Sequence, residues 1–119
     1  MTLRYFKLSE FDSPDKTGSG DQMNEDFLQM LDNARHIAGI PFEINSGFRT
    51  KSHNKKVGGV SNSSHLYGVA ADIACETDAE RWAIVNALIQ AGFTRIGIAK
   101  TFIHVDKDED KNSNRIWVY

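Results

Sequence analysis

Cysteine and proline are scarce in this sequence of 119 residues, which contains one cysteine and two prolines. Cys75 has no partner for an internal disulfide, so the fold must be held together by its own hydrophobic core. A chain of this length is long enough to bury such a core. We interpret Cys75 as a small buried hydrophobic residue rather than as a reactive thiol.

Long apolar runs and an excess of basic residues are also missing. No segment approaches the ~20 apolar residues that a membrane-spanning helix requires, and the N-terminal segment lacks the apolar run of a signal peptide. The formal net charge of −2 gives no electrostatic reason to expect a nucleic-acid partner. We therefore expect a single monomeric domain over 1–119 that contacts neither a membrane nor nucleic acid.

Hydrophobic periodicity and turn residues predict two helices and five short strands. The helices cover 24–38 and 78–91, and the second begins at a capping box of Thr77 and Glu80. The strands cover 42–45, 69–74, 94–98, 101–106 and 115–119. The last two strands are expected to form a hairpin, and the polar stretch 46–64 is expected to be a surface loop. The predicted fold is α+β, with helices packed on one side of a small, mainly antiparallel sheet.

Three residues carry possible metal chemistry. His65 follows the polar stretch, Asp72 lies in the apolar strand VAADIA, and His104 stands between Ile103 and Val105. A carboxylate in an apolar strand is costly unless a positive group compensates it. Two imidazoles and one carboxylate form a common catalytic zinc set that leaves a fourth position open. Taken singly, each of these residues is more often structural, and the His-x6-Asp spacing alone is a weak signal.

The segment SSHLYGVAAD (63–72), together with His104, resembles the zinc D-Ala-D-Ala carboxypeptidases and their phage endolysin relatives. That family has Ser-x-His, then Gly and Ala, then Asp, with a second His far along the chain. The matching positions are Ser63, His65, Gly68, Ala70 and Asp72. The segments SGFRT (46–50) and FIHVD (102–106) also look like family segments, so the likeness runs from about Phe6 to Tyr119. The same zinc geometry recurs, by fold resemblance, in the signalling domain of hedgehog proteins.

The resemblance implies a bound Zn²⁺ with His65, Asp72 and His104 as ligands. The metal would lower the pKa of a bound water and polarise the scissile carbonyl. Arg49 would hold substrate carboxylate or carbonyl oxygens through its forked guanidinium, although such a residue can also be a solvated loop cation. Ser63 would hydrogen-bond the substrate or, alternatively, cap a turn.

One position departs from the family pattern. Many members have a Glu three residues before the second His, where it serves as general base, and this chain has Thr101 there. Asp106 is the nearest replacement, because residues 104 and 106 of a strand point to the same face. Asp106 is therefore either the catalytic base or a partner that orients His104.

The predicted function is a zinc metallopeptidase acting on peptidoglycan stem peptides. The resemblance leaves open a D-Ala-D-Ala carboxypeptidase or an endopeptidase of the L-Ala-D-Glu type. Thr101 favours an alternative, a non-catalytic zinc-containing module that binds the wall or forms part of a virion. A hydrolase with Cys75 as nucleophile is a weaker possibility. Without an export signal, we expect synthesis in the cytoplasm and action on the wall after release, as in a phage or prophage setting.

Overall fold

The computed structural model describes all residues 1–119. Its helices are α1 (Glu25–Ala38), α2 (Lys51–Lys56) and α3 (Asp78–Gln90), and its strands are β1 (Ile44–Ser46), β2 (Ala70–Ala74), β3 (Arg95–Ile98), β4 (Phe102–Asp106) and β5 (Arg115–Val118). Short 3-10 helices occupy Leu8–Phe11, Ser19–Gln22 and Ser64–Tyr67. None of the helices combines the length and apolarity needed to cross a membrane.

Local capping residues explain where the two long helices begin and end. The Asn24 side chain accepts a hydrogen bond from the Phe27 amide at 2.9 Å, which satisfies a free N–H at the start of α1. Gly39 ends that helix in the left-handed conformation, with φ at 69°. The capping box of Thr77 and Glu80 is present at the start of α3. Both predicted helices are confirmed, to within one residue at each end.

The five strands form one sheet in the order β1-β2-β4-β3-β5. All neighbouring pairs are antiparallel except β3 and β5, which are parallel. The side chains of α1 and α3 share one core with alternate strand residues, among them Ile73, Ile96 and Ile103. The predicted α+β class, with helices against one side of a mainly antiparallel sheet, is confirmed.

The predicted hairpin between the last two strands is wrong. Strand β4 pairs with β2 on one edge and with β3 on the other, so neither edge is free for β5. The polar connection instead carries the chain past β3, where the Arg95 guanidinium donates to the Asn112 carbonyl oxygen. Strand β5 therefore adds to the outer edge of β3, with Gly97 opposite Trp117.

The stretch 46–64 is more ordered than the predicted loop, because it contains α2. The Thr50 hydroxyl accepts from the His53 amide at 3.1 Å and so caps this helix. The stretch then turns into the 3-10 helix Ser64–Tyr67 and returns to the sheet at β2. This path brings Arg49 and His65 together, since the Arg49 amide donates to the His65 carbonyl oxygen at 3.1 Å.

Candidate metal centre

One rung of the sheet supplies most of the site. Asp72 of β2 lies opposite His104 of β4, and His104 lies opposite Gly97 of β3. Gly97 in turn lies opposite Trp117 of β5. Because side chains alternate along a strand, Asp72 and His104 project from the face that the helices leave uncovered. The register alone therefore places an acid, an imidazole and an indole side by side.

His65 reaches the same place from outside the sheet. It belongs to the 3-10 helix that ends at Gly68, whose φ of 70° is in the left-handed region. An added Cβ there would meet the Gln22 carbonyl oxygen, so glycine is required for both reasons. The His65 Nδ1 lies 2.8 Å from the Gly47 carbonyl oxygen, to which it must donate. That bond leaves Nε2 as the free lone pair, and Nε2 faces Asp72.

The three ligand candidates converge on a common point. His104 Nδ1 lies 2.9 Å from Asp72 Oδ1, and His65 Nε2 lies 3.4 Å from the same oxygen. One ligand atom from each residue lies within 4.8 Å of the others, and all three residues are buried. Two imidazole nitrogens and a carboxylate oxygen at this separation are the donor set of a catalytic zinc site. The residues present therefore fit Zn²⁺.

Asp106 holds the other side of the His104 ring. Its Oδ2 lies 2.8 Å from His104 Nε2, while its Oδ1 accepts from Arg95 Nε at 2.7 Å and from the Asp108 amide at 3.2 Å. The Asp106 side chain is 1% exposed. With both oxygens occupied and almost no access to solvent, these contacts favour the orienting role over the role of base. The bond to Nε2 also leaves Nδ1 as the atom directed at the metal position.

Electrostatics link the two carboxylates to the histidine between them. Burial raises the pKa of Asp72, but hydrogen bonds from His104 and His65 outweigh it and hold that pKa below its usual range. Burial lowers the pKa of His104, but its bonds to Asp106 and Asp72 outweigh this and raise it. Without metal, these bonds therefore favour the protonated form of His104, which compensates Asp72. Binding of a cation would take over that compensation.

Arg49 forms a wall of the cavity above these residues, which measures about 350 Å³. Its Nε donates to Ser46 Oγ at 3.1 Å and its Nη1 to Asn54 Oδ1 at 3.3 Å. Its Nη2 lies 3.5 Å from Asp72 Oδ2, and the side chain is only 16% exposed. These contacts hold the guanidinium against the site. A solvated loop cation would have no such fixed position.

Ser63, the other predicted substrate contact, lies at the start of the same 3-10 helix as His65. Its Oγ accepts from the His65 amide at 3.3 Å, so it caps that short helix. Ser63 also lines the metal cavity, but its observed bond is the one expected of the turn-capping alternative. Its neighbour Ser64 is bound differently, to the buried Asp108 carboxylate at 2.7 Å.

Sequence reasoning did not select three residues that shape this cavity. Trp117 and Tyr119 line it from the β5 side, and Arg95 lies beneath Trp117 with its guanidinium carbon 5.0 Å from the ring centre. A Cβ on Gly97 would lie 2.6 Å from Trp117 Nε1, so that glycine makes room for the indole beside His104. The expected hairpin places β5 beside β4. Only the observed parallel pairing of β5 with β3 brings Trp117 and Tyr119 to the metal cavity.

Cys75 is not part of the site. It is 1% exposed, burial raises its pKa, and its sulfur lies 3.7 Å from the Thr77 carbonyl oxygen. A buried thiol with a raised pKa carries little thiolate, which is the nucleophilic form. The interpretation of Cys75 as a buried hydrophobic residue is confirmed.

The fold and the donor set together are those of a zinc metalloprotein whose metal site lies on the uncovered face of an α+β sheet. The family model of peptidase M15 matches residues 4–106. The chain belongs to this peptidase family, and its cofactor is Zn²⁺. The resemblance inferred from the segment 63–72 is thereby confirmed. Residues 107–119, which include β5 with Trp117, lie beyond the matched range.

A curated relative points the same way. Over 63 residues the chain is 43% identical to the zinc D-Ala-D-Ala carboxypeptidase of Streptomyces albus G. The alignment includes 52% of this chain and 24% of the relative, so the chain spans about a quarter of that protein's length.

Proposed function

We propose that this protein is a zinc-dependent peptidase that cleaves peptidoglycan stem peptides. The observation that carries the proposal is the convergence of His65, Asp72 and His104, whose ligand atoms lie within 4.8 Å of one another in the lining of a cavity. The family and the carboxypeptidase relative support the same chemistry. In this proposal, His65, Asp72 and His104 hold the metal.

The surrounding side chains have separable tasks. When bound, Zn²⁺ supplies a Lewis acid that polarises a carbonyl oxygen and lowers the pKa of a water molecule. Arg49 donates from its fixed guanidinium to a carboxylate or carbonyl oxygen of the peptide. Tyr119 also lines the metal cavity, and its phenol offers a second donor there. Asp106 keeps the His104 ring in place and does not contact the peptide.

A second candidate function is a non-catalytic zinc module with the same fold, and one observation favours it. The carboxylates that line the metal cavity are Asp72 and Asp106, and both are fully engaged. Thr101 is exposed and does not line the cavity. No side chain is thus free to accept a proton in the way the family's usual glutamate does. A peptidase of this kind would depend on solvent for proton transfer, with a lower rate than one with a general base.

The deciding experiment is a digest of purified peptidoglycan by the zinc-loaded protein, analysed by mass spectrometry. Loss of a terminal alanine identifies a D-Ala-D-Ala carboxypeptidase, whereas release of whole stem peptides identifies an endopeptidase. Arg49→Ala should retain zinc and lose most turnover, and Arg49→Lys should recover only part of it, because lysine lacks the fork. If the zinc-loaded protein releases nothing from walls of several chemotypes, the binding-module function replaces the enzyme.

The setting in which the protein meets its substrate is part of the same proposal. A cytoplasmic protein that acts on the wall after cell lysis fits a phage or prophage origin. Expression with and without a lysis trigger, followed by analysis of the wall peptides, tests it: cleavage is expected only after lysis.

A further inference from the structure

A second cavity adjoins the metal cavity and has no role in the chemistry described so far. We call it the side cavity. Its volume is about 580 Å³, and it shares Arg49 and Gly59 with the metal cavity. The wall residues that matter here are Phe48, Arg49, Lys51, Lys55, Leu66 and Tyr67. A peptide extending from the metal position past Arg49 would enter this space.

The charge of the side cavity has one sign. Arg49, Lys51 and Lys55 line it, and no carboxylate does. Lys51 and Lys55, like most lysines of the chain, have no carboxylate within 4.0 Å; Lys107 and Lys111 are the two that have one. The cavity therefore presents the ammonium groups of Lys51 and Lys55, which have no carboxylate partner within the protein, beside Arg49, which is paired with Asp72.

Helix stability does not explain both of these lysines. Lys51 and Lys55 are four residues apart on α2, where like charges repel each other. Lys51 also lies in the first turn, which contains no acidic residue, and a cation there opposes the helix dipole. Lys55 lies in the last turn, where a cation is favourable to the dipole, so it is the placement of Lys51 that the helix does not explain.

Three hydrophobic residues also line the side cavity. Phe48 and Leu66 are partly buried, and Tyr67 is 61% exposed. A ligand with an aliphatic or peptide body and an anionic group would satisfy both the apolar and the basic part of this lining. A peptidoglycan stem peptide has this character, because it combines small alkyl side chains with free carboxylates.

Arg49 connects the two cavities. Its bonds to Ser46 and Asn54 fix the guanidinium between them, and an added Cβ on Gly59 would overlap the Asn54 side chain. The glycine therefore leaves Asn54, and with it the bond from Arg49, in place. Arg49 and Gly59 are the two residues that line both cavities.

We propose that the side cavity is a subsite for a carboxylate of the wall peptide, and that Lys51 and Lys55 determine this specificity. The inference rests on the proposed function, because it takes its ligand from the same substrate. The peptide offers two such groups: the α-carboxylate of the γ-linked D-glutamate and the C-terminal carboxylate. Their shared chemistry is what the lysines recognise.

Three synthetic pentapeptides (L-Ala-γ-D-Glu-L-Lys-D-Ala-D-Ala) test the subsite. One is unmodified, one carries the glutamate α-amide, and one carries the C-terminal amide. Binding to the zinc-loaded protein is measured by calorimetry, and cleavage by mass spectrometry. The double variant Lys51→Gln/Lys55→Gln is compared with Lys56→Gln, which makes the same change on the same helix outside the cavity.

One of the two amidations should weaken binding to the native protein by about five- to tenfold, as expected for two exposed charge contacts. The double variant should lose this preference, and Lys56→Gln should keep it. The peptide whose amidation matters identifies the carboxylate. The preference should also shrink as salt is raised.

The outcomes separate the two proposals. Equal binding of all three peptides, or a preference that survives in the double variant, overturns the subsite even if the peptides are cut. The expected preference without any cleavage leaves the subsite standing and removes the peptidase function. No binding of any of the three peptides to the zinc-loaded protein overturns both.

Discussion

The two faces of the sheet are built from the same strands and have opposite chemistry. In β4, Ile103 and Val105 point into the core beneath the helices, while His104 and Asp106 point to the open face. In β2, Ile73 and Asp72 divide in the same way. One face is held by packing and the other by polar bonds between titratable groups. Period-two alternation therefore combines a structural and a chemical surface in about ten residues of sequence.

The two faces should also differ in what changes when one side chain is removed. The core face depends on shape, since its side chains have no other role than to exclude water and fill space. The open face depends on a chain of contacts that runs from Arg95 through Asp106 and His104 to Asp72. Removing one member there should alter metal binding, whereas removing one core member should alter stability. Variants on the two faces should therefore fail in different ways.

Loss of a metal ligand should have the largest consequence. We expect His65→Ala or His104→Ala to abolish tight zinc binding, because two remaining ligands do not make a catalytic zinc site. His53→Ala is the matched control, since His53 lies on α2 and does not line the metal cavity. Zinc content after gel filtration and titration against a competing chelator measure the effect. Full zinc occupancy in either ligand variant would contradict the assignment.

A change one residue away from a ligand should act through stability instead. Ile103 is fully buried, and Ile103→Ala should lower the free energy of unfolding by about 2–5 kcal/mol. Ile116 on β5 is 57% exposed, so Ile116→Ala should cost no more than about 0.5 kcal/mol. Denaturant unfolding measures both. The folded fraction of Ile103→Ala should still bind one zinc per chain. Loss of zinc from the folded protein would contradict the separation of stability and metal binding between the two faces.

The variant Asp106→Asn should have an intermediate effect. It also distinguishes the two roles predicted for Asp106, orientation of His104 and general base. If Asp106 orients His104, Asp106→Asn should weaken zinc affinity by about 10–100-fold, and saturating zinc should restore most of the turnover. Asp108→Asn is the control, because Asp108 is also buried but bonds to Ser64 rather than to a histidine. A deficit of about 10²–10⁴-fold that persists at saturating zinc would instead identify Asp106 as the general base.

The sequence was sufficient for the parts of this molecule that depend on local pattern. The capping residues Asn24 and Thr77 fix helix ends through contacts three residues away, and alternation puts Asp72 and His104 on one face. It was insufficient where strand order decided the outcome. The parallel pairing of β5 with β3 depends on which edge is free, and the position of Trp117 follows from it. The bond from Asp106 to His104 Nε2 likewise required the ring orientation, which no spacing encodes.

The smallest effect concerns pH, and its sign follows from His104. The pKa of His104 is raised above its ordinary 6.5 by Asp106 and Asp72, which outweigh burial, so the metal-free protein keeps this proton to higher pH. Zinc must displace it, and zinc affinity should rise by up to about tenfold per pH unit between pH 6 and the raised pKa, then level off. The stability that protonated His104 gives the metal-free fold has the opposite trend: it is complete below 6.5 and is lost as pH rises through the raised pKa. Zinc titrations and thermal melts at pH 6, 7 and 8 measure both trends, and Asp106→Asn should shift both to lower pH. A zinc affinity that is constant over this range would show that the open face binds its metal without releasing a proton from His104.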